Sequence, residues 1–386
     1  MSNRVREFQA VMKRDGIDAM VLSMSENVVL LSGYWPRNGF SFVFVPPEGD
    51  ACLICPEADL PDTKNSRIPR VETFGWVRLI DGDPQKNIEK VLHILAKEYG
   101  VPAGASIGVE IGQQTAAPPL ISAEIILPGS NTLGTIQRAF ATEKLVSACG
   151  AVDEVRQIKS PEDIEKLEKV NKLAHAAIKH FDELINRENM REIDVAARVE
   201  EFVERTGCGF EGIQYARAWA QVTSGECTAD AWFAGMISGG RVLRKKDLVM
   251  LEMAVVADGY WSDVTQTSCV GFMEGQKAEM FSAIVQAQSD AVTSVKDGVP
   301  AAEIDAVARR TLERAGFEKA FIHHTGHGVG LGYHENTPRL APGSKDTLRA
   351  GMTHSVEPGI YVPGVGGVRL EVNVLVCEGG YQILGK

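Results

Sequence analysis

The chain has 386 residues, enough for two domains, because a single core seldom grows beyond roughly 250 to 300 residues. Hydrophobic residues make up 44% and charged residues 24%, an ordinary globular mixture, and seven cysteines, an odd number, give no disulfide framework. The net charge of -11 argues against nucleic acid or an anionic membrane as the main partner, since both select clustered Lys and Arg.

The N-terminal stretch MSNRVREFQAVMKRDGID is charged and amphipathic, and no apolar run reaches the ~18 residues of a membrane span, so a cytoplasmic location is expected. Val5, Phe8, Val11 and Met12 recur at helical spacing over 2–15, and Gly16 ends that helix. AMVLSM, SFVFVP and ACLICP read as strands, and Pro84 to Tyr99 as a helix. Cys52 and Cys55 form C-x-x-C inside ACLICP, with neither a second pair for zinc nor a helix start beneath them; buried thiols are expected. GASIG, residues 104–108, matches G-x-S-x-G but leads into the strand IGVEI, where a nucleophile elbow would join strand to helix; it is read as a turn. Alternating helices and strands predict an α/β domain over residues 1–150.

Ser160 as N-cap, Pro161 at the first helical position and Asp163 in the first turn predict a long helix toward Ile185. The change of pattern over 148–160 marks the boundary, with a second domain over 155–386. REIDVAARVEEFVERTGCGFE from Arg191 and AEIDAVARRTLERAGFE from Ala302 form an internal repeat, each copy ahead of a β-rich segment. Two related α+β halves are predicted, with a site where they meet.

Leu248 to Val256 reads as a strand carrying Glu252, and a turn at Asp258-Gly259 returns the chain through YWSDVTQT. In that register Glu252 faces Thr265 and Asp263 faces Ala254, so the two acids are diagonal neighbours, about 7 to 8 Å apart at the backbone. In FIHHTGHGVGLGYHE, His327 stands between Gly326 and Gly328, with His323 four residues before and His334 seven after. The flanking glycines are expected to let a bound group approach. Glu357 lies in EPGIY, and Glu371 in GVRLEVNVLV, read as one strand with Arg369, Glu371 and Asn373 on one face. Each acid alone fits a solvated strand face. Together with histidine they suit a pair of divalent ions roughly 3.5 to 4 Å apart, which is hydrolysis chemistry.

From about residue 155 onward the chain resembles the pita-bread metallopeptidases, the family of Xaa-Pro aminopeptidases, prolidases and methionine aminopeptidases. The motifs DGYWSDVTQT, TGHGVGLGYHE, SVEPGIY and GVRLE stand in that family's order. The preceding residues resemble the creatinase-type N-terminal domain of the Xaa-Pro branch. The resemblance implies metal ligands at Glu252, Asp263, His327, Glu357 and Glu371, and two divalent ions (manganese, cobalt, zinc or iron) sharing a bridging hydroxide. It makes Glu357 the general base and gives His323 and His334 contact with substrate and intermediate. Trp232, His334 and Arg369 are expected on the substrate side. It further implies a small peptide as substrate, cleaved before proline, and a homodimer.

Four positions depart from the family pattern. Glu252 stands where the first ligand is normally Asp, Gln266 replaces an arginine, Val372 replaces a second acid, and Trp232 ends VTSGECTADAWF where a histidine is usual. The alternative is a hydrolase or lyase acting on a small non-peptide molecule, as in creatinase, ectoine hydrolase or the dimethylsulfoniopropionate lyase of the same fold. A tryptophan at the site's edge stacks well on a cationic methylated ligand. A pseudoenzyme that only binds a partner is the third class, and the intact ligand set speaks against it.

Overall fold

The computed structural model describes all residues except 1–2, 37–39, 77, 112–128, 188 and 233–236. The chain divides into two units, Met1–Arg156 and Gln157–Lys386. None of the described helices is long and apolar enough to cross a membrane.

The first unit runs α1 (Asn3–Asp15), β1 (Ala19–Leu22), α2 (Ser25–Ser32), β2 (Phe42–Val45), β3 (Cys52–Pro56), β4 (Arg70–Phe74), α3 (Pro84–Glu98), β5 (Ile107–Val109), α4 (Ser130–Phe140), β6 (Leu145–Ser147) and α5 (Cys149–Arg156). Its sheet has the order β4-β3-β2-β1-β5-β6 and is mixed, β1 pairing antiparallel with β2 and parallel with β5. Ile88, Leu92 and Leu95 of α3 pack on Val21, Phe42 and Phe44 of the sheet, the α/β layer expected. Cys52 and Cys55 are buried free thiols. Helix α2 was not legible in the sequence: Val28 to Leu31 are all buried, so no polar face reveals a 3.6-residue period.

The second unit continues with α6 (Pro161–Leu184), α7 (Glu192–Gly207), β7 (Ala216–Ser224), β8 (Leu248–Ala257), β9 (Tyr260–Cys269), α8 (Gln276–Thr293), α9 (Ala301–Arg314), β10 (Gly326–Gly328), β11 (Glu335–Leu340), β12 (Thr353–Val356), β13 (Gly359–Val362), β14 (Gly366–Arg369), β15 (Val372–Cys377) and β16 (Gly380–Ile383). Helix α6 starts on a capping box: Ser160 Oγ accepts from Asp163 N at 3.2 Å, and the Asp163 carboxylate accepts from Ser160 N at 2.9 Å. The repeat resolves into two helix-pair-on-sheet halves. Helices α6 and α7 lie against β7-β8-β9, while α8 and α9 cover β11-β10-β12-β15-β16 through Ile284, Ile304, Leu312, Val356 and Val374.

Strands β8 and β9 form the expected hairpin. Asp258 (φ 49°) and Gly259 (φ 85°) both take the left-handed conformation that a two-residue turn of this kind requires. Glu252 pairs with Thr265 and Ala254 with Asp263, as the turn position dictates. The strand expected across Arg369, Glu371 and Asn373 is instead broken at Leu370-Glu371, because the Glu371 amide leaves the ladder to donate to the Thr265 carbonyl at 2.9 Å. Asn373 completes the seam between the two sheets, accepting from Asp263 N at 2.9 Å and donating to Asp263 O at 2.7 Å.

Candidate active site

The seam gathers the four acids. Glu252, Asp263 and Glu371 offer carboxylate oxygens within 4.8 Å of one another, and a His327 ring nitrogen and oxygens of Glu357 and Glu371 form a second group within the same distance. The hairpin sets the first two, the broken strand aims Glu371 at them, and the Glu357 amide, donating to Thr325 O at 2.8 Å, fixes the fourth beside β10. Thr265 Oγ1 stands 2.5 Å from Glu252 Oε2 and 2.7 Å from Glu371 Oε2, and its single proton serves one of them at a time.

His327 donates Nδ1–H to the Gly328 carbonyl at 2.9 Å, which turns Nε2 toward the acids. That Nε2 lies 3.3 Å from Asp263 Oδ2 and 3.5 Å from Glu357 Oε1. The flanking glycines serve a different purpose from the one expected. A Cβ on Gly326 would stand 2.1 Å from Ser355 O, and one on Gly328 2.4 Å from Thr337 O, so they admit neighbouring backbone.

His334 packs on His327 with ring centroids 4.3 Å apart, and it offers a nitrogen near Asp263 and His327. Burial, then the His327 charge, keeps the His334 imidazole well below its usual pKa. His323 points elsewhere. Its Nδ1 donates to His324 O at 2.7 Å, so Nε2 is the acceptor for the Tyr361 hydroxyl at 3.0 Å, and burial lowers the ring to about 4. His324, passed over in the sequence, brings Nε2 to 3.8 Å from Glu357 Oε1.

Arg369 is buried, and every guanidinium nitrogen has a protein partner. Nε donates to Thr265 Oγ1 at 2.9 Å, Nη1 to Ala231 O and Tyr361 OH at 2.7 Å each, and Nη2 to Glu252 Oε2 at 2.7 Å. The Ala231 bond ties down the segment that ends in half-exposed Trp232; Phe233 after it lies outside the described residues. Tyr333 was also missed. Its hydroxyl lies 3.0 Å from Glu252 Oε1 and 2.9 Å from Asp263 Oδ1.

Crowded acids titrate late. Burial, then the charges of Glu252 and Glu357, push Asp263 well above the carboxylate range; burial, then Asp263, Glu357 and Glu252, do the same to Glu371. Glu357 goes the other way: burial raises it, but His327, His324, His323 and Arg369 outweigh that and hold it at about 2. Mutually repelling buried acids call for a cation. Glu371 Oε1 is buried without a hydrogen-bond partner among the described residues, Glu357 and Glu371 offer ligand oxygens within 4.8 Å of a His327 nitrogen, and this donor set fits a divalent ion.

The comparisons agree with this chemistry. Residues 165–378 match metallopeptidase family M24, and residues 4–158 match the creatinase/prolidase N-terminal domain. The chain is 29% identical over 395 residues to an Xaa-Pro dipeptidase of Pyrococcus furiosus, covering 100% of this chain and 98% of that one. A prolidase structure from Pyrococcus horikoshii aligns with a TM-score of 0.80 at 27% identity, covering 100% of this chain and 98% of the other. An Xaa-Pro dipeptidase from Bacillus anthracis aligns with a TM-score of 0.80 at 26% identity, covering 99% and 97%. With a matched family over more than half its length and the pita-bread architecture of those structures, the chain belongs to metallopeptidase family M24.

Proposed function

We propose that the chain is a metal-dependent Xaa-Pro dipeptidase, cleaving the bond before proline. Family M24 membership carries peptide hydrolysis with divalent metal. The observation that carries the reading onto this chain is the cluster itself: His327, Glu357 and Glu371 offer ligand atoms within 4.8 Å of one another, as do Glu252, Asp263 and Glu371, and Glu371 Oε1 is buried without a hydrogen-bond partner among the described residues. The proline specificity draws its support from the Xaa-Pro dipeptidases that the chain matches along nearly its whole length.

Asp263, His327, Glu357 and Glu371 hold the ion in this proposal, with Glu252 beside them. A divalent ion held there would lower the pKa of a water and polarise the peptide carbonyl. Glu357, beside His327, would serve as the general base that accepts the water's proton. His334 faces the substrate, and His323 acts through Tyr361 and Arg369. Trp232 forms part of the substrate wall. An oxygen-rich site with a single imidazole suits manganese, cobalt, zinc or iron.

The first unit serves as the N-terminal domain and the second as the catalytic one. A homodimer, checked by light scattering, and a cytoplasmic setting, consistent with the free thiols of the described cysteines, complete the proposal. The test is chelated protein assayed with each ion restored against Xaa-Pro dipeptides, Xaa-Pro-Yaa tripeptides and dipeptides lacking proline. Cleavage confined to Xaa-Pro dipeptides is expected. Failure on all peptides, with turnover of a small methylated amine, would shift the assignment to the small-molecule branch that Trp232 favours.

A further inference from the structure

The acids are not equally open. Tyr333 lies in the connection between β10 and β11, where the Glu335 carboxylate accepts from Leu331 N at 2.9 Å and Gly332 N at 3.3 Å and so fixes the turn that points the phenol inward. Its ring packs against Trp261 (centroids 5.7 Å apart) and edge-on against His334 (4.3 Å), and Trp261 stacks on Trp219. The hydroxyl is therefore held by a packed aromatic column. It sits between Glu252 Oε1 and Asp263 Oδ1, at 3.0 and 2.9 Å.

The other oxygen of Glu252 is engaged as well. Oε2 accepts from Arg369 Nη2 at 2.7 Å and lies 2.5 Å from Thr265 Oγ1. Glu252 thus has protein donors on both oxygens, and one of those donors carries a full positive charge. Glutamate, one methylene longer than aspartate, extends further from β8 toward Arg369 and Tyr333. On the other side, His327 Nε2 lies 3.3 Å from Asp263 Oδ2 and 3.5 Å from Glu357 Oε1, and Glu371 Oε1 has no hydrogen-bond donor among the described residues.

We propose that this chain holds one divalent ion, at Asp263, His327, Glu357 and Glu371, and that the Tyr333 hydroxyl and Arg369 guanidinium fill the place beside Glu252 that a second ion would take. The inference rests on the metal-dependent reading above and replaces the pair of ions expected from the sequence. Arg369 supplies fixed positive charge where the second ion would have stood, and the Tyr333 hydroxyl, between Glu252 Oε1 and Asp263 Oδ1, keeps those two oxygens from a second cation while Asp263 Oδ2 stays turned to His327. Tyr333 is a positioning residue in this arrangement.

The test is the number of Mn2+ ions bound by the metal-stripped full chain, counted by calorimetric titration and elemental analysis and read by electron paramagnetic resonance. The wild type is expected to bind one ion per chain and to show the six-line signal of isolated Mn2+. Tyr333→Ala, which removes phenol and ring, and Tyr333→Phe, which removes only the hydroxyl and keeps the packing, are each expected to admit a second ion and a spin-coupled signal. Two coupled ions in the wild type, with Xaa-Pro turnover, would overturn the inference and leave the dipeptidase reading standing. A Tyr333→Ala chain that folds and still binds one ion would overturn the role given to Tyr333. One ion with no peptide turnover would support the inference and count against the dipeptidase, and no bound ion would sink both.

Discussion

His327 owes its position to what its neighbours lack. The Ser355 and Thr337 carbonyls that crowd Gly326 and Gly328 belong to backbone paired with β10, and neither has room to retreat. Gly326→Ala is expected to lose at least about 2 kcal/mol of stability, because overpacking of this kind costs ~1 to 3 kcal/mol even where side chains can adjust. A urea midpoint unchanged within error would contradict it. The glycines were legible in the sequence as a close approach, but not the object of that approach, which depends on strands that arrive later in the chain. His323 and His324 were equally indistinct. They stand next to each other in an irregular segment, where no periodicity says which imidazole turns toward Glu357 and which toward Tyr361.

Turns and caps carried more information than strands. Asp258-Gly259 fixed the β8–β9 register, and so the diagonal placing of Glu252 and Asp263, because a two-residue turn leaves a single pairing. Alternation misread the segment from Arg369 to Asn373. A period of two assumes an unbroken ladder, and the Glu371 amide leaves it for Thr265. The β10–β11 connection depends on a contact no local pattern shows, Lys159 Nζ to Glu335 Oε2 at 2.5 Å with both side chains buried. Lys159→Met leaves that carboxylate uncompensated and is expected to cost about 3 to 5 kcal/mol, with weaker metal binding as Tyr333 and His334 lose their fixed turn. The double variant Lys159→Met, Glu335→Gln, which removes the charge and keeps an acceptor for the Leu331 and Gly332 amides, should recover part of the unfolding free energy; equal losses in both would show that the ion pair is not the cause.

At the scale of the whole molecule, the duplication brings β9 of one sheet against β15 of the other, and the acids come from both sides of that seam. Asn373 is the bolt between them, and Asn373→Leu is expected to remove about 2 kcal/mol by leaving the Asp263 amide and carbonyl without partners, together with a drop in metal affinity. A titration calorimetry trace matching the wild type would refute the second effect. The acid limb of the stability curve has a named contributor. His175 of α6 donates to Leu384 O at 3.2 Å, and burial, then the Lys386 charge, lowers it from 6.5 to about 4. The unfolded chain takes up a proton below pH 6.5 that the folded chain refuses until about 4, so this stability is present above 6.5 and lost as pH falls to 4. The loss amounts to at most about 3 kcal/mol. His175→Gln should unfold at a higher urea concentration than the wild type at pH 4.5, relative to their difference at pH 7; parallel curves would contradict the assignment.

The most direct check of the metal-dependent Xaa-Pro peptidase is dipeptide hydrolysis by chelated full-length protein before and after Mn2+ is restored, with His327→Ala run beside it. Turnover that is absent without the ion, returns with it, and falls by more than about a hundredfold in His327→Ala is the expected result, since the imidazole is the one nitrogen in the proposed ligand set. Hydrolysis that persists in the chelated protein, or that survives His327→Ala undiminished, would contradict it.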